Sequence, residues 1–344
     1  MTRHEVPTDP FATIAARAGA ADRAERDLSD DIRLLFDCGV MQRLCDCATG
    51  PSVARGVDLL CRLGAANLSV GRLAEGHVNA LRLIRLYGAA EQIARAEHAA
   101  AQAQLFGVWG ADGPRPVRID RTADGQAVLA GAKRFCSGLG LVRHAVVTAR
   151  SARGVQLVLI RADDERRHDT AQWRTAGMRA TLSGGHDMEG LRGEALGQAD
   201  DYMREPYFEG GIWRYAALHA GALEALADAL GRHIRDPSPM QAARLVEMIR
   251  LTRGARLWVE HAANAVENSP APDITASLLA REAVEEACLR GIALCERAFG
   301  TAAFMDGNPV ERIRRDLAFF LRQANLDGKT QLAARLILDG RATQ

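Results

Sequence analysis

Apolar residues recur every three or four positions through the first hundred residues, the repeat of helices with one buried face. Val57, Leu60, Cys61 and Gly64 make one stripe, and Val78, Leu81, Ile84 and Leu86 the next, with Gly88 placed as a C-cap. Residues 91–104, mostly Ala, predict a further helix. The pattern changes at Leu105 to short alternating runs separated by turn residues. Residues 117–122 and 127–131 flank Ala123-Asp124-Gly125 as a hairpin, and 142–149 and 155–160 flank Ser-Ala-Arg-Gly as another. Residues 173–178 and 182–188 predict a third strand pair around Arg-Ala-Thr. Helical periodicity returns near Tyr207. One helix is expected over 215–233, stopped by Asp236-Pro237. A second starts with Ser238 as N-cap, Pro239 at the first helical position and Gln241 completing a capping box, and runs to about Asn268. A third spans 275–299 and is expected to bury Leu279, Ala283, Ala287, Leu294 and Ala298; a last helical segment follows Asn308-Pro309. The fold class expected is multidomain α+β: an N-terminal helical domain (1–104), a central antiparallel β-barrel or sandwich (105–205) and a C-terminal four-helix bundle (206–344).

Composition narrows the function classes. A net charge of +1, with Arg spread along the chain among acids, gives no nucleic-acid footprint. No apolar run reaches the ~20 residues of a membrane span, and the N-terminal stretch has acids and Pro but no apolar core of a secretory signal. Seven Cys, an odd number in a chain large enough to need no staples, are expected as reduced thiols in a cytoplasmic protein. Cys38, Cys45 and Cys47 lack a second pair or a His at zinc spacing, so no metal is expected. Gly138-Leu-Gly140 lacks the third Gly and the βαβ setting of a dinucleotide fingerprint, and there is no Gly-x-Ser-x-Gly or Walker loop. Glu75-Gly-His77-Val-Asn79 is placed at the start of a helix, with His77 expected as a satisfied helix-entry histidine and not a base.

Three segments, in order and spacing, resemble the acyl-CoA dehydrogenase superfamily of flavoproteins. The first is Lys133 followed by Phe135-Cys136-Ser137-Gly138, similar to the family's Lys and Trp-Ile-Thr-Asn-Gly. There the aromatic packs beside the isoalloxazine, and the Thr hydroxyl and neighbouring backbone bond its N5 region, so Phe135, Cys136 and Ser137 are implied flavin contacts. The second runs from Leu105 through Trp109 to Ala111-Asp112, similar to a strand ending Thr-Glu-Pro. Asp112 stands near the Glu, Ala111 replaces Thr, and Trp109 either lines the site or fills a seam. The third comprises Cys295-Glu-Arg-Ala-Phe299-Gly300 and Asn308 to Asp316, similar to the segments that hold FAD between subunits. Residues 177–184 are similar to the family's Gly-x-Arg-x-Ser/Thr strand. The resemblance implies FAD, an acyl-CoA or similar small-molecule substrate, a homodimer or homotetramer, and an electron-transfer flavoprotein among candidate redox partners.

The departures fall on catalysis. The family's base is a carboxylate, usually Glu before Gly after the Arg-Asp pair. Ungapped, Ala324 takes that position; with three inserted residues Asp327-Gly328 takes it. Some members place the base on the first bundle helix, near Gly211 here, with Glu209 two residues earlier. Arg232 keeps the Arg of an Arg-x-x-Phe-Gly segment implied to contact the FAD pyrophosphate, but Phe-Gly is replaced. Three readings follow: α,β-dehydrogenation of an acyl thioester, a flavin monooxygenase of the same fold, or a degenerate member that binds without catalysis.

Overall fold

The computed structural model describes residues 9–123, 126–323 and 325–342. The two turn residues after Ala123, the position Ala324 and the first eight residues, which carry the signal-peptide reading, lie outside them. Six helices come first: α1 (Pro10–Asp22), α2 (Ser29–Asp37), α3 (Val40–Asp46), α4 (Val53–Ala66), α5 (Leu68–Tyr87) and α6 (Ala90–Ala101). The Asn67 side chain accepts from Ser69 N–H (2.9 Å) and starts α5 hard against the end of α4. Fourteen of the twenty residues of α5 are buried, so it is a core helix with neighbours on every side.

Among the described residues nine strands follow: β1 (Leu105–Trp109), β2 (Arg118–Ala123), β3 (Gln126–Ala130), β4 (Ala132–Cys136), β5 (Val142–Ser151), β6 (Gly154–Arg161), β7 (His168–Asp169), β8 (Gly184–Asp187) and β9 (Arg192–Leu196). The ring β5-β2-β3-β9-β6 closes through β5–β6 into a small barrel, and β4-β8-β7 form a second sheet. The barrel is mixed, not wholly antiparallel as expected. β1 pairs parallel with the first half of β5, and β2 meets its end in parallel at Arg118–Arg150. The chain between β1 and β5 is long enough for such a crossover. The β2–β3 and β5–β6 hairpins are present.

Residues 173–178 do not form the expected strand. Met178 and Leu182 take left-handed backbone (φ 56° and 44°), around a short 3₁₀ turn at Arg179–Thr181. Trp173 Nε1 donates to the Met178 and Arg179 carbonyls, and the Asp316 carboxylate accepts from Met178 N–H at 2.7 Å. Side chains thus take the backbone groups that a strand would have paired.

The C-terminal half holds α7 (Trp213–His233), α8 (Pro239–Glu267), α9 (Ile274–Phe299), α10 (Pro309–Phe320) and α11 (Leu326–Ala342). The Ser238–Gln241 capping box is formed at both bonds. The last segment divides, so three long helices are completed by two shorter ones. The buried stripe of α9 passes through Ala280, Val284, Ala287, Cys288 and Gly291; Leu279, Ala283 and Ala298 are half-buried. Among the described residues no helix is long and apolar enough to cross a membrane, and no three His, Cys, Asp or Glu side chains gather as metal ligands.

Candidate active site

The crevice begins at the end of β4. Lys133 is buried and gives its ammonium to Asp112 (2.7 Å), Thr148 Oγ1 (2.8 Å) and the Gly110 carbonyl (3.1 Å). This ties β4 to the end of β1. Between Lys133 and Cys136 the pairing slips, and Phe135 takes φ 55°. A left-handed non-glycine residue here re-aims its neighbours. Phe135 stands 54% exposed beside Trp173, with Arg134 over its ring, while Cys136 turns inward and burial pushes its thiol up.

Ser137 follows, half-buried. Its carbonyl accepts from Trp109 Nε1 (3.2 Å), and its hydroxyl lies 3.1 Å from Ser183 Oγ, itself 2.8 Å from Thr181 Oγ1. Thr181 gives its proton to the Met178 carbonyl (2.7 Å). Ser183 has one proton, for Thr181 or for Ser137 but not both. The Ser137 hydroxyl can therefore accept from the chain and donate into the crevice, or the reverse. Trp109 is buried against His186, a ring that burial and His168 push down to about 4.

The opposite wall is α5. Arg72, Leu73 and Gly76 face Trp109, Ser137 and Val142 across a cavity of about 10 Å³, room for a single water. Behind Gly76 lies a buried ionic chain. Glu75 is bonded by Arg72 and by the Asn79 amide, and Asn79 Oδ1 accepts from Arg214 Nε (2.7 Å). Arg214 Nη1 reaches Glu267 (3.0 Å), which also takes Arg82 (2.9 Å) and the Trp213 indole (3.2 Å). Burial and Arg82 push Arg214 down to about 10, still charged at neutral pH.

At the start of α7, Glu209 Oε2 is paired with Lys329 from α11, and its Oε1 has no hydrogen-bond partner among the described residues. Glu209 and Glu75 both act on Tyr202 and Tyr215, and burial raises both phenols, Tyr202 to about 12.

Residues 212–338 match the family described as acyl-CoA dehydrogenase, C-terminal domain. Solved structures share the whole fold. FkbI, from biosynthesis of the methoxymalonyl extender unit of a polyketide, superposes with TM-score 0.81 at 19% identity, covering 96% of this chain and 98% of its own. FMN-bound TdsC from Paenibacillus sp. A11-2 gives 0.79 at 16%, covering 97% and 96%. Butyryl-CoA dehydrogenase from Megasphaera elsdenii gives 0.77 at 15%, covering 98% and 100%. Residues 212–338 thus match the acyl-CoA dehydrogenase C-terminal domain, and the chain as a whole shares the acyl-CoA dehydrogenase fold. No curated protein matches it by sequence.

Within the acyl-CoA dehydrogenase fold, the residues nominated from sequence fall in three places. Trp109, Ala111, Asp112, Phe135, Cys136 and Ser137 gather where β1 meets β4, but Asp112 is engaged by Lys133 and by Val117 N–H, and the Ala111 carbonyl by Arg134 N–H. Glu209 stands at the start of α7, and Asp327 is exposed in the first turn of α11. Arg232, Phe299 and Gly300 lie together at the far end of α7 and α9, with Phe299 stacked on His233 (4.1 Å) and Gly300 at φ 57°. Arg315 and Asp316 fasten other elements. Arg315 pairs with Asp22 and Glu311, and Asp316 holds Met178. Sequence reasoning missed Arg72, Thr181, Ser183 and Tyr202. Arg72, Glu75 and Asn79, three and four apart on an otherwise apolar helix, carried the available signal.

Proposed function

We propose that the protein is a flavin-dependent oxidoreductase that oxidises the Cα–Cβ bond of an acyl thioester. The observation that carries this reading is the reversible hydroxyl of Ser137, beside the exposed Phe135 ring. A redox ring nitrogen accepts a hydrogen bond when oxidised and donates one when reduced, and Ser137 can answer both. Phe135, Ser137 and Trp109 would hold the ring edge, and Arg232, at the far end of α7, would serve the phosphates of a flavin held by a neighbouring copy. Bound there, a flavin supplies the two-electron acceptor. FMN-bound TdsC, of the same fold, supports a flavin of either kind.

The chain's own part is to take the substrate proton. Glu209 is the better placed carboxylate, half-buried, oriented at one oxygen by Lys329 and open at the other. Asp327 is exposed to solvent. One observation favours a monooxygenase as the second reading: the carboxylates of Glu75, Glu209 and Glu267 each carry a cation.

Visible absorption with added FAD or FMN tests the reading. Expected are flavin bands that bleach without oxygen on addition of an acyl thioester. Glu209→Gln keeps the bands and slows bleaching about 10²-fold or more. Bound flavin that no thioester bleaches turns the assignment to the monooxygenase, and failure to bind flavin at all removes both.

A further inference from the structure

We propose that the N-terminal helices hold a second binding site, separate from the crevice between β1 and β4, for a small uncharged organic molecule with an apolar body and a carbonyl oxygen at its inner end. It stands independently of the flavin reading above.

Helices α2, α3, α5 and α6 surround an open cavity of about 520 Å³, within the roughly 300–1,000 Å³ of small-molecule sites. It stays open because α6 presents no large apolar side chain to it. Ala100 and Ala101 line it, and so does Ala103 in the turn beyond, at φ 57°. His77, Leu81 and Arg85 of α5 line it too, one turn apart along one side of the helix. Arg72, Leu73 and Gly76, which face the crevice, lie on another side of α5.

His77 stands in the middle of α5, not at its entry, and is 1% exposed. Its Nδ1 accepts from Phe106 N–H at 3.1 Å, so the proton of the neutral ring is on Nε2. Burial, helped by Arg85, keeps the ring neutral. Nε2 points away from β1 and has no hydrogen-bond partner among the described residues. Unlike the sealed Nε2 atoms of His186 and His219, it reaches open space, and the space that His77 lines is this cavity. A buried donor without a partner is costly, and an oxygen on a ligand satisfies it. Around it the walls are Phe36, Met41, Leu81 and Cys45, whose thiol burial pushes up to about 12, so no charge stands at the inner end. The charges are at the exposed mouth, with Arg85 about 12 Å along the helix axis from His77. Arg85 Nε is paired with Glu97 at 3.0 Å, and Asp37 has no ion-pair partner among the described residues. Two carboxylates against one guanidinium make the mouth acidic. An anion is repelled there and finds no cation inside. An uncharged molecule with one oxygen suits the walls and Nε2 together.

The test is saturation-transfer NMR titration of the full-length protein with three probes, acetophenone, ethylbenzene and benzoate, each without and with saturating FAD. Acetophenone is expected to bind about ten-fold tighter than ethylbenzene, one net hydrogen bond's worth, and benzoate more weakly than either. FAD should leave all three unchanged. His77→Asn keeps a side-chain oxygen for Phe106 N–H and withdraws the deep donor. It should erase the ten-fold preference and leave ethylbenzene as it was. Ala101→Trp, at the exposed mouth, should abolish binding of every probe while the circular dichroism spectrum is retained. Failure of all three probes to bind means that the cavity holds water only and overturns the site. Displacement by FAD, or binding that survives Ala101→Trp, overturns its location. Benzoate binding tighter than acetophenone overturns the uncharged class of ligand. Equal losses of acetophenone and ethylbenzene in His77→Asn overturn the carbonyl contact.

Discussion

Three buried histidines set how the fold responds to acid. Burial, helped by Arg85, pushes His77 down to about 3. Burial with Arg281 and Arg322 does the same for His219, and burial with His168 holds His186 at about 4. Unfolded, each takes a proton near pH 6.5. Between about pH 6.5 and 4 the unfolded chain therefore binds more protons, and stability rises with pH. Expected is a flat denaturation midpoint above neutrality that falls as pH drops below about 6.5, by about 1.4 kcal/mol per pH unit for each histidine. His219→Phe, which can keep the edge-on contact with Phe320, should remove one such increment from the slope in urea titrations at pH 7.5 and 5. An unchanged slope would show that His219 is protonated in the fold. Lys133→Met makes a second case. It removes the cation from Asp112, which keeps only Val117 N–H, and the ammonium from Thr148 Oγ1 and the Gly110 carbonyl, which keep each other at 3.0 Å, and is expected to cost about 2–3 kcal/mol in the same titrations. Lys133 and Ser137 were visible in sequence because they sit in one short motif. Ser183 and Thr181 were not, because their meaning comes from a partner 46 residues away in the chain.

Elements were legible where a local rule decides them. Ser238, Pro239 and Gln241 state the start of α8 within four residues, and both capping bonds are made. Residues 173–178 were misread because the rule that governs them is tertiary. The Asp316 carboxylate from α10 and the Trp173 indole take the backbone groups first. The same holds for the joint between α4 and α7, where the glycines matter only once the helices are packed. Gly221→Ala forces its Cβ into the Cys61 carbonyl and should cost about 3 kcal/mol or more. Gly231→Ala, ten residues along the same helix with nothing within 4 Å, should gain up to about 1 kcal/mol of helix propensity. Opposite signs in urea denaturation are the expected result. Equal effects would mean that α4 and α7 yield at their contact.

For the whole molecule, sequence periodicity conveys three blocks but not the surfaces they leave open. On α8, Val246, Ile249 and Leu257 are exposed on one face, three and then eight residues apart along the helix, with Val246 at 69% and Leu257 at 66%. The inner side of the same helix is already used, with Met248, Ala255, Val259 and Ala262 buried against the bundle. A helix apolar on both sides needs a second partner, and a surface stripe of this kind is costly to leave in water. A second copy of the chain satisfies it with a closed, self-complementary contact. The protein is therefore expected to run as a dimer or a larger even assembly in light scattering. Val246→Glu with Leu257→Glu, both outside the fold's interior, should lower the mass toward one chain while the circular dichroism spectrum is retained. A wild-type mass of one chain would remove the stripe as an interface. It would also leave Arg232, Phe299 and Gly300 facing solvent rather than a neighbouring subunit.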